Sequence, residues 1–119
     1  MKIAITARGK DLTSPVDERF GRAEFFIIYD TETGEFQAID NTPNLQAMQG
    51  AGVQSAQKII ELGADVLLTG HCGPKAFQVL NAGGVKVCIG ATGTVKEAID
   101  AYLRGELKPS QAPDVQSHW

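Results

Sequence analysis

The run Ala64–Leu68 (ADVLL) constrains the fold more than any other stretch of the chain. It is short and almost wholly apolar, it follows Gly63, and it leads through Thr69-Gly-His-Cys-Gly into Pro74. A strand without a polar face must be covered on both sides, the ordinary condition of a central strand in a parallel sheet. Parallel neighbours require crossover connections, which helices supply. Helical patterns flank the run. From about Gly50, the apolar positions Val53, Ala56, Ile59, Ile60 and Gly63 recur at helical spacing, with Gly63 placed to close the helix. Pro74 suits a first helical position, and the pattern continues over Lys75–Asn81 until Gly83-Gly84 stops it. Val85–Ile89 (VKVCI) is the next strand, with Cys88 in the core. Thr94-Val-Lys-Glu97 is a capping box that opens a third helix to Leu103, with Gly105 beyond its end.

The N-terminal half has a different texture. Lys2–Thr6 (KIAIT) reads as a buried strand, Glu24–Asp30 (EFFIIYD) as a second, and Glu35–Asp40 (EFQAID) as a third that returns across Thr31-Glu-Thr-Gly34. In this hairpin Phe36 and Ile39 are expected in the core. Asn41-Thr-Pro-Asn44 is punctuation that ends it. The element order is β β β α β α β α. A hairpin followed by two strand–helix units predicts an α/β sandwich. Its five-stranded mixed sheet takes the order 3-2-1-4-5 with one antiparallel strand, and three helices cover it. Residues 1–107 form the single domain. Residues 108–119 (KPSQAPDVQSHW), with two prolines and little apolar content, read as a flexible C-terminal tail in which His118 and Trp119 have no structural role.

Composition removes several classes. At 119 residues the chain fits one domain, and 43% apolar with 21% charged residues excludes wholesale disorder. A formal charge of −3 argues against a dedicated nucleic-acid binder. No apolar run approaches the ~20 residues needed to span a bilayer, and MKIAITARGK lacks the apolar segment of a signal peptide, so a cytoplasmic protein without membrane partners is expected. Two cysteines are too few for a disulfide scaffold.

In an open α/β sheet, ligands bind beyond the carboxyl ends of the strands at the topological switch point, here between strands one and four. Loops 7–23, 69–74 and 90–94 should meet there, and 7–23 and 69–74 are expected to be the most mobile segments near the site. In the second loop His71 and Cys72 offer imidazole and thiolate ligands for a soft or borderline metal, with Gly70 and Gly73 allowing both to turn inward. The plain alternative is that the glycines make the turn while Cys72 packs as a small hydrophobe. Two ligands fall short of a closed zinc site. Gly90-Ala-Thr92-Gly93-Thr94 is either a capped turn or a second set of N–H donors facing the crevice; it lacks the lysine and spacing of a P-loop. The long loop carries Arg8, Lys10, Arg19 and Arg22 against Asp11, Asp17 and Glu18. Its arginines could line an anionic ligand, or Asp17 could pair with one of them in a solvated loop. The first strand has no acid and Asp65 lies at the wrong end of the fourth, which argues against two-metal nuclease chemistry. No G-x-S-x-G elbow supports a hydrolase, and a Cys72-based enzyme would rest on one residue.

Ser14-Pro-Val-Asp-Glu-Arg-Phe-Gly-Arg-Ala23, Gly50-Ala-Gly52, Gly63-Ala-Asp65, Gly70-x-x-Gly-x-Lys-Ala76, Gly84-Val-Lys-Val-x-x-Gly-Ala91 and Gly93-Thr-Val-x-Glu-Ala-Ile-x-x-Tyr-Leu-x-Gly-x-Leu107 together resemble the dinitrogenase iron–molybdenum cofactor biosynthesis family. That family includes NifX-type carriers, the C-terminal domain of NifB and the orange protein of sulfate reducers. The resemblance implies a ribonuclease H-like α/β fold and non-catalytic binding, storage or transfer of an anionic metal–sulfur cluster. The cluster would be an iron–sulfur or iron–molybdenum precursor, or a molybdenum–copper sulfide. It implies that His71 and Cys72 contact the cluster, that Arg8, Arg19 and Arg22 balance its charge, and that Gly70, Gly73, Thr92 and Gly93 line the crevice at the ends of strands 1, 4 and 5. Cluster donor and acceptor proteins and a partner ATPase would be its partners, and the chain would be a monomer or weak homodimer. The radical S-adenosylmethionine motif Cys-x-x-x-Cys-x-x-Cys of some relatives is absent, so a chain of this kind holds a cluster rather than builds one. The competing expectation is an interaction or regulatory module that keeps the fold without binding a cluster.

Overall fold

The fold is seen in a computed structural model that describes residues 1–45 and 50–113. Five strands form one sheet: β1 (Lys2–Ala7), β2 (Phe25–Asp30), β3 (Phe36–Asp40), β4 (Val66–Leu68) and β5 (Lys86–Cys88). Their spatial order is β3-β2-β1-β4-β5, as the sequence predicts. β2 is antiparallel to both neighbours, whereas β1, β4 and β5 run parallel. Ala4 lies opposite Leu67, which in turn lies opposite Val87, so the three apolar runs are in register at the middle of the sheet.

Alternation along β1 assigns its residues to two cores. Ala4, Phe26, Ile28, Leu67 and Val87 face α2 (Ala51–Glu61) and α3 (Pro74–Ala82), which contribute Ala56, Ile59, Phe77 and Leu80. Ile3, Ile5, Ile27, Val66, Leu68 and Cys88 face α4 (Val95–Leu103), which contributes Val95, Ala98 and Ile99. The sandwich therefore has three layers. The glycine stops fall where expected: Gly63, Gly84 and Gly105 follow α2, α3 and α4, each with φ near +80°.

Three features depart from the sequence reading. Phe36 is 40% exposed: it lies on an edge strand, on the face where α4 packs against β1, two strands away; Ile39, on the opposite face, packs against the core as expected. A fourth helix, the single turn α1 (Thr42–Leu45), occupies the segment read as punctuation, and a 3-10 turn spans Phe20–Arg22. The third concerns residues after Leu107. Pro109 bridges Cys88, and the Ser110 N–H donates to the Val87 carbonyl at 2.7 Å, so this stretch starts as a strap along the outer edge of β5. Residues 114–119, with His118 and Trp119, lie outside the described residues. No described helix is long and apolar enough to cross a membrane.

Candidate functional site

The long loop after β1 is bonded along much of its length to the elements around it. The Arg8 N–H donates to the Pro15 carbonyl and the Asp17 N–H to the Thr6 carbonyl, folding the loop back on β1. The Val16 N–H donates to the Gly93 carbonyl at 2.9 Å, while Ser14 and Leu12 carbonyls accept the N–H groups of Val95 and Lys96. Further on, the His71 N–H donates to the Glu18 carbonyl at 2.7 Å and the Phe20 N–H to the His71 carbonyl at 3.1 Å, a parallel bridge centred on Arg19 and His71. The Gly90 and Ala91 N–H groups donate to the Gly70 and Thr69 carbonyls. The three loops expected to converge at the switch point are thus joined backbone to backbone.

Two buried hydroxyls sit beneath this junction. Thr6, one residue before the end of β1, and Thr69, the residue after β4, are both fully buried. Thr6 Oγ1 donates to the Asp17 carbonyl at 2.7 Å and lies 2.9 Å from Thr69 Oγ1. Asp17 is 5% exposed, and its Oδ1 accepts the Arg19 N–H at 3.0 Å. The alternative that Asp17 pairs with a guanidinium is therefore replaced by an Asx turn. The sequence reading singled out neither threonine. The signal was present, since each is a polar residue closing an otherwise apolar strand.

The residues predicted for the site fall into distinct settings. Arg8, Arg19 and Arg22 are exposed, and among the described residues none pairs with a carboxylate. Arg19 is extended (φ −110°, ψ 111°), and Arg22 closes the 3-10 turn with its N–H on the Arg19 carbonyl. Lys10 stands 5.5 Å from the centre of the Phe25 ring. His71 is half-buried at the junction. Cys72 is fully buried in the core with Phe20, Ala76 and Phe77, its Sγ 3.7 Å from the Gly73 carbonyl oxygen. Gly70 is required by close approach: a Cβ there would stand 2.7 Å from both Cα and O of Glu18. Thr92 and Gly93 are exposed, with Gly93 at φ +80°.

The two helix starts at this end of the sheet differ. At α4 the Thr94 hydroxyl accepts the Glu97 N–H, Glu97 Oε1 accepts the Thr94 N–H, and Ser14 and Leu12 take the two between. All four first-turn donors, on residues 94–97, are consumed within the protein, so α4 itself offers no N–H group to a ligand. These bonds hold the Glu97 carboxyl below its ordinary range. At α3 no side chain caps Gly73, and Pro74 follows at N1. Among the described residues, no three His, Cys, Asp or Glu side chains gather into a set able to hold a metal ion.

Residues 1–105 match the family described as Dinitrogenase iron-molybdenum cofactor. The fold is similar to the apo form of the orange protein from Desulfovibrio gigas, with a TM-score of 0.94 and 41% identity over 96% of each chain. It is also similar to the solution structure of a candidate NifB protein of the DUF35 family from Thermotoga, with a TM-score of 0.84 and 40% identity over 98% of each chain. An uncharacterized protein of Methanocaldococcus jannaschii is 35% identical over 111 residues, covering 91% of this chain and 90% of the relative.

Proposed function

The chain belongs to the dinitrogenase iron-molybdenum cofactor family, and from that premise we propose that it is a cytoplasmic carrier which holds and hands over an anionic metal–sulfur cluster without turnover of its own. Membership supports a cofactor-related role, and the likeness to the orange protein extends over nearly the whole chain. The strand order is the basis for assigning the fold to the ribonuclease H-like class.

The Arg19–His71 bridge is the observation that carries this reading. It seats an exposed guanidinium-bearing residue beside a half-buried imidazole-bearing one, on backbone already ordered by two hydrogen bonds. A ligand arriving there has little backbone left to order, which is the advantage of preorganisation. In this reading His71 supplies the metal-ligating nitrogen, and Arg8, Arg19 and Arg22 balance the charge of the sulfide-rich cargo. Gly70 and Gly73 shape the inner wall, and Thr92 and Gly93 form the far rim. Cys72 sits in the apolar core and would reach the cargo only if the 71–73 turn opened, so the carrier does not depend on it. Donor and acceptor proteins are the partners such a carrier requires, and a partner ATPase belongs with the competing reading as an interaction module.

The test is anaerobic purification followed by elemental analysis and visible absorption, with tetrathiomolybdate plus copper(I), or iron plus sulfide, offered to metal-free protein. The expected result is near-stoichiometric metal with sulfide-to-metal charge-transfer bands that His71→Ala abolishes or shifts. Wild-type protein that stays colourless with both offers overturns the proposal.

A further inference from the structure

We propose that Asp17 is the positioning residue of this site: its buried carboxylate fixes the Arg19 amide, and thereby the strand-like segment 18–20 that clamps His71. The inference rests on the carrier reading for what the clamp is for, but its geometry stands in the unliganded protein.

A carboxylate that is 5% exposed is unusual in a small core, and this one lies in a loop whose arginines take no carboxylate partner among the described residues. Its visible partner is a backbone group, the Arg19 N–H at 3.0 Å. Asp17 is held from every side by its own backbone as well. Its N–H donates to the Thr6 carbonyl at 2.9 Å and its carbonyl accepts the Thr6 hydroxyl at 2.7 Å. The residue is therefore anchored to the end of β1, and the side chain passes that anchorage two positions forward. From there Glu18 and Phe20 bond to both sides of His71, while Glu18 lies so close to Gly70 that no Cβ fits between them. The chain of contact runs Thr6, Asp17, Arg19, His71 without a gap. An Asx turn of this kind sets the direction of the next two residues, and here those residues are the clamp.

Charge plays no part in this role; reach does. Asp17→Asn keeps an acceptor oxygen at the same reach, Asp17→Glu keeps the charge but moves the carboxylate one methylene outward, and Asp17→Ala removes the acceptor. The first readout is amide hydrogen exchange of Arg19, Phe20 and His71 in the metal-free protein. The second is affinity for tetrathiomolybdate, compared with Val66→Ala, which weakens the core at the opposite end of β4. Losing one hydrogen bond that orders the clamp is expected to speed exchange at the three amides by about tenfold, and to weaken tetrathiomolybdate by about tenfold, in both Asp17→Ala and Asp17→Glu. Asp17→Asn should stay within about twofold of wild type in both readouts, and Val66→Ala should lower the melting temperature without changing affinity. If Asp17→Ala does not fold, the Asn and Glu variants carry the same comparison. Slow exchange retained in Asp17→Glu, or fast exchange in a folded Asp17→Asn, overturns the proposal. Wild-type protein that ignores tetrathiomolybdate defeats the carrier reading, while the exchange rates still decide the role of Asp17.

Discussion

Thr6 and Thr69, 63 positions apart in the sequence, meet hydroxyl to hydroxyl at 2.9 Å where β1 and β4 end. Thr6 also reaches the Asp17 carbonyl, so its oxygen joins two strands and the long loop at one point. Thr69→Val removes one contact of this group and should cost about 1 kcal/mol of folding stability. Thr6→Val removes both and strips a buried carbonyl of its hydroxyl donor, for about 2 kcal/mol. Urea unfolding of the two variants checks the ranking; equal losses would show that the hydroxyl pair, not the link to the loop, carries the energy.

Two glycines offer a matched comparison. Gly70→Ala must push a methyl group into the backbone of Glu18 at 2.7 Å, and backbone cannot yield as a side-chain tip does. Gly52 lies inside α2, where a new Cβ would find the Ala76 Cβ at 3.7 Å, ordinary van der Waals contact. Gly70→Ala should cost ~2 kcal/mol or more, whereas Gly52→Ala should be neutral or stabilise by up to ~1 kcal/mol through helix propensity. Thermal melts of the two proteins make the test.

Burial pushes the Cys88 thiol up to about 11 from 9.0, with Lys86 pulling the other way. Tyr102 is raised as well, by burial first and then by Cys88 and Asp65. A raised thiol binds its proton more tightly in the folded state. Its contribution is therefore complete below about pH 9 and is lost as the pH climbs through about 11. Melting temperature against pH should fall across that window, and Cys88→Ala should fall less steeply. Native protein should also resist iodoacetamide at Cys88 at pH 8.

Glu97 has the opposite sign. Its carboxyl is depressed by the Thr94 N–H and hydroxyl, so its stabilisation is present above 4.5 and disappears as the pH falls through the lowered folded value. Glu97→Gln should flatten that acid limb of a stability–pH profile. Thr94→Ala removes the N-cap itself and should cost ~1 kcal/mol at neutral pH.

Much of the architecture is legible in the sequence because local rules agree with one another. The apolar run Val66–Leu68, the stops at Gly63, Gly84 and Gly105, and the Thr94–Glu97 capping box each state one element, and their order leaves little choice of topology. One-turn elements escape such reading. α1 and the turn at Phe20–Arg22 are too short to show a period, and Pro43 and Gly21 look like breaks. Phe36 misleads for another reason: its apolar character says that it could be buried, but its place on the edge strand, two strands from where α4 packs on β1, decides that it is not. At the site, the residue types are readable and the partners are not. The α4 donors look available until Ser14 and Leu12, some 80 positions away, are seen to take them. Asp17 looks like a counter-ion until its oxygen is found on a backbone amide.

The strap at Pro109 and Ser110 has a consequence for how copies of this protein meet. An open sheet ordinarily carries two adhesive borders, and stacking border on border can continue without limit. Here one border is occupied, since Ser110 spends its N–H on Val87 and Pro109, which has no N–H to offer, lies against Cys88. Among the described residues, no strand pairs with the outer side of β3, which leaves that border for an incoming strand. A body with one sticky side can join a single neighbour and then has nothing left to extend, so any such growth terminates at a pair.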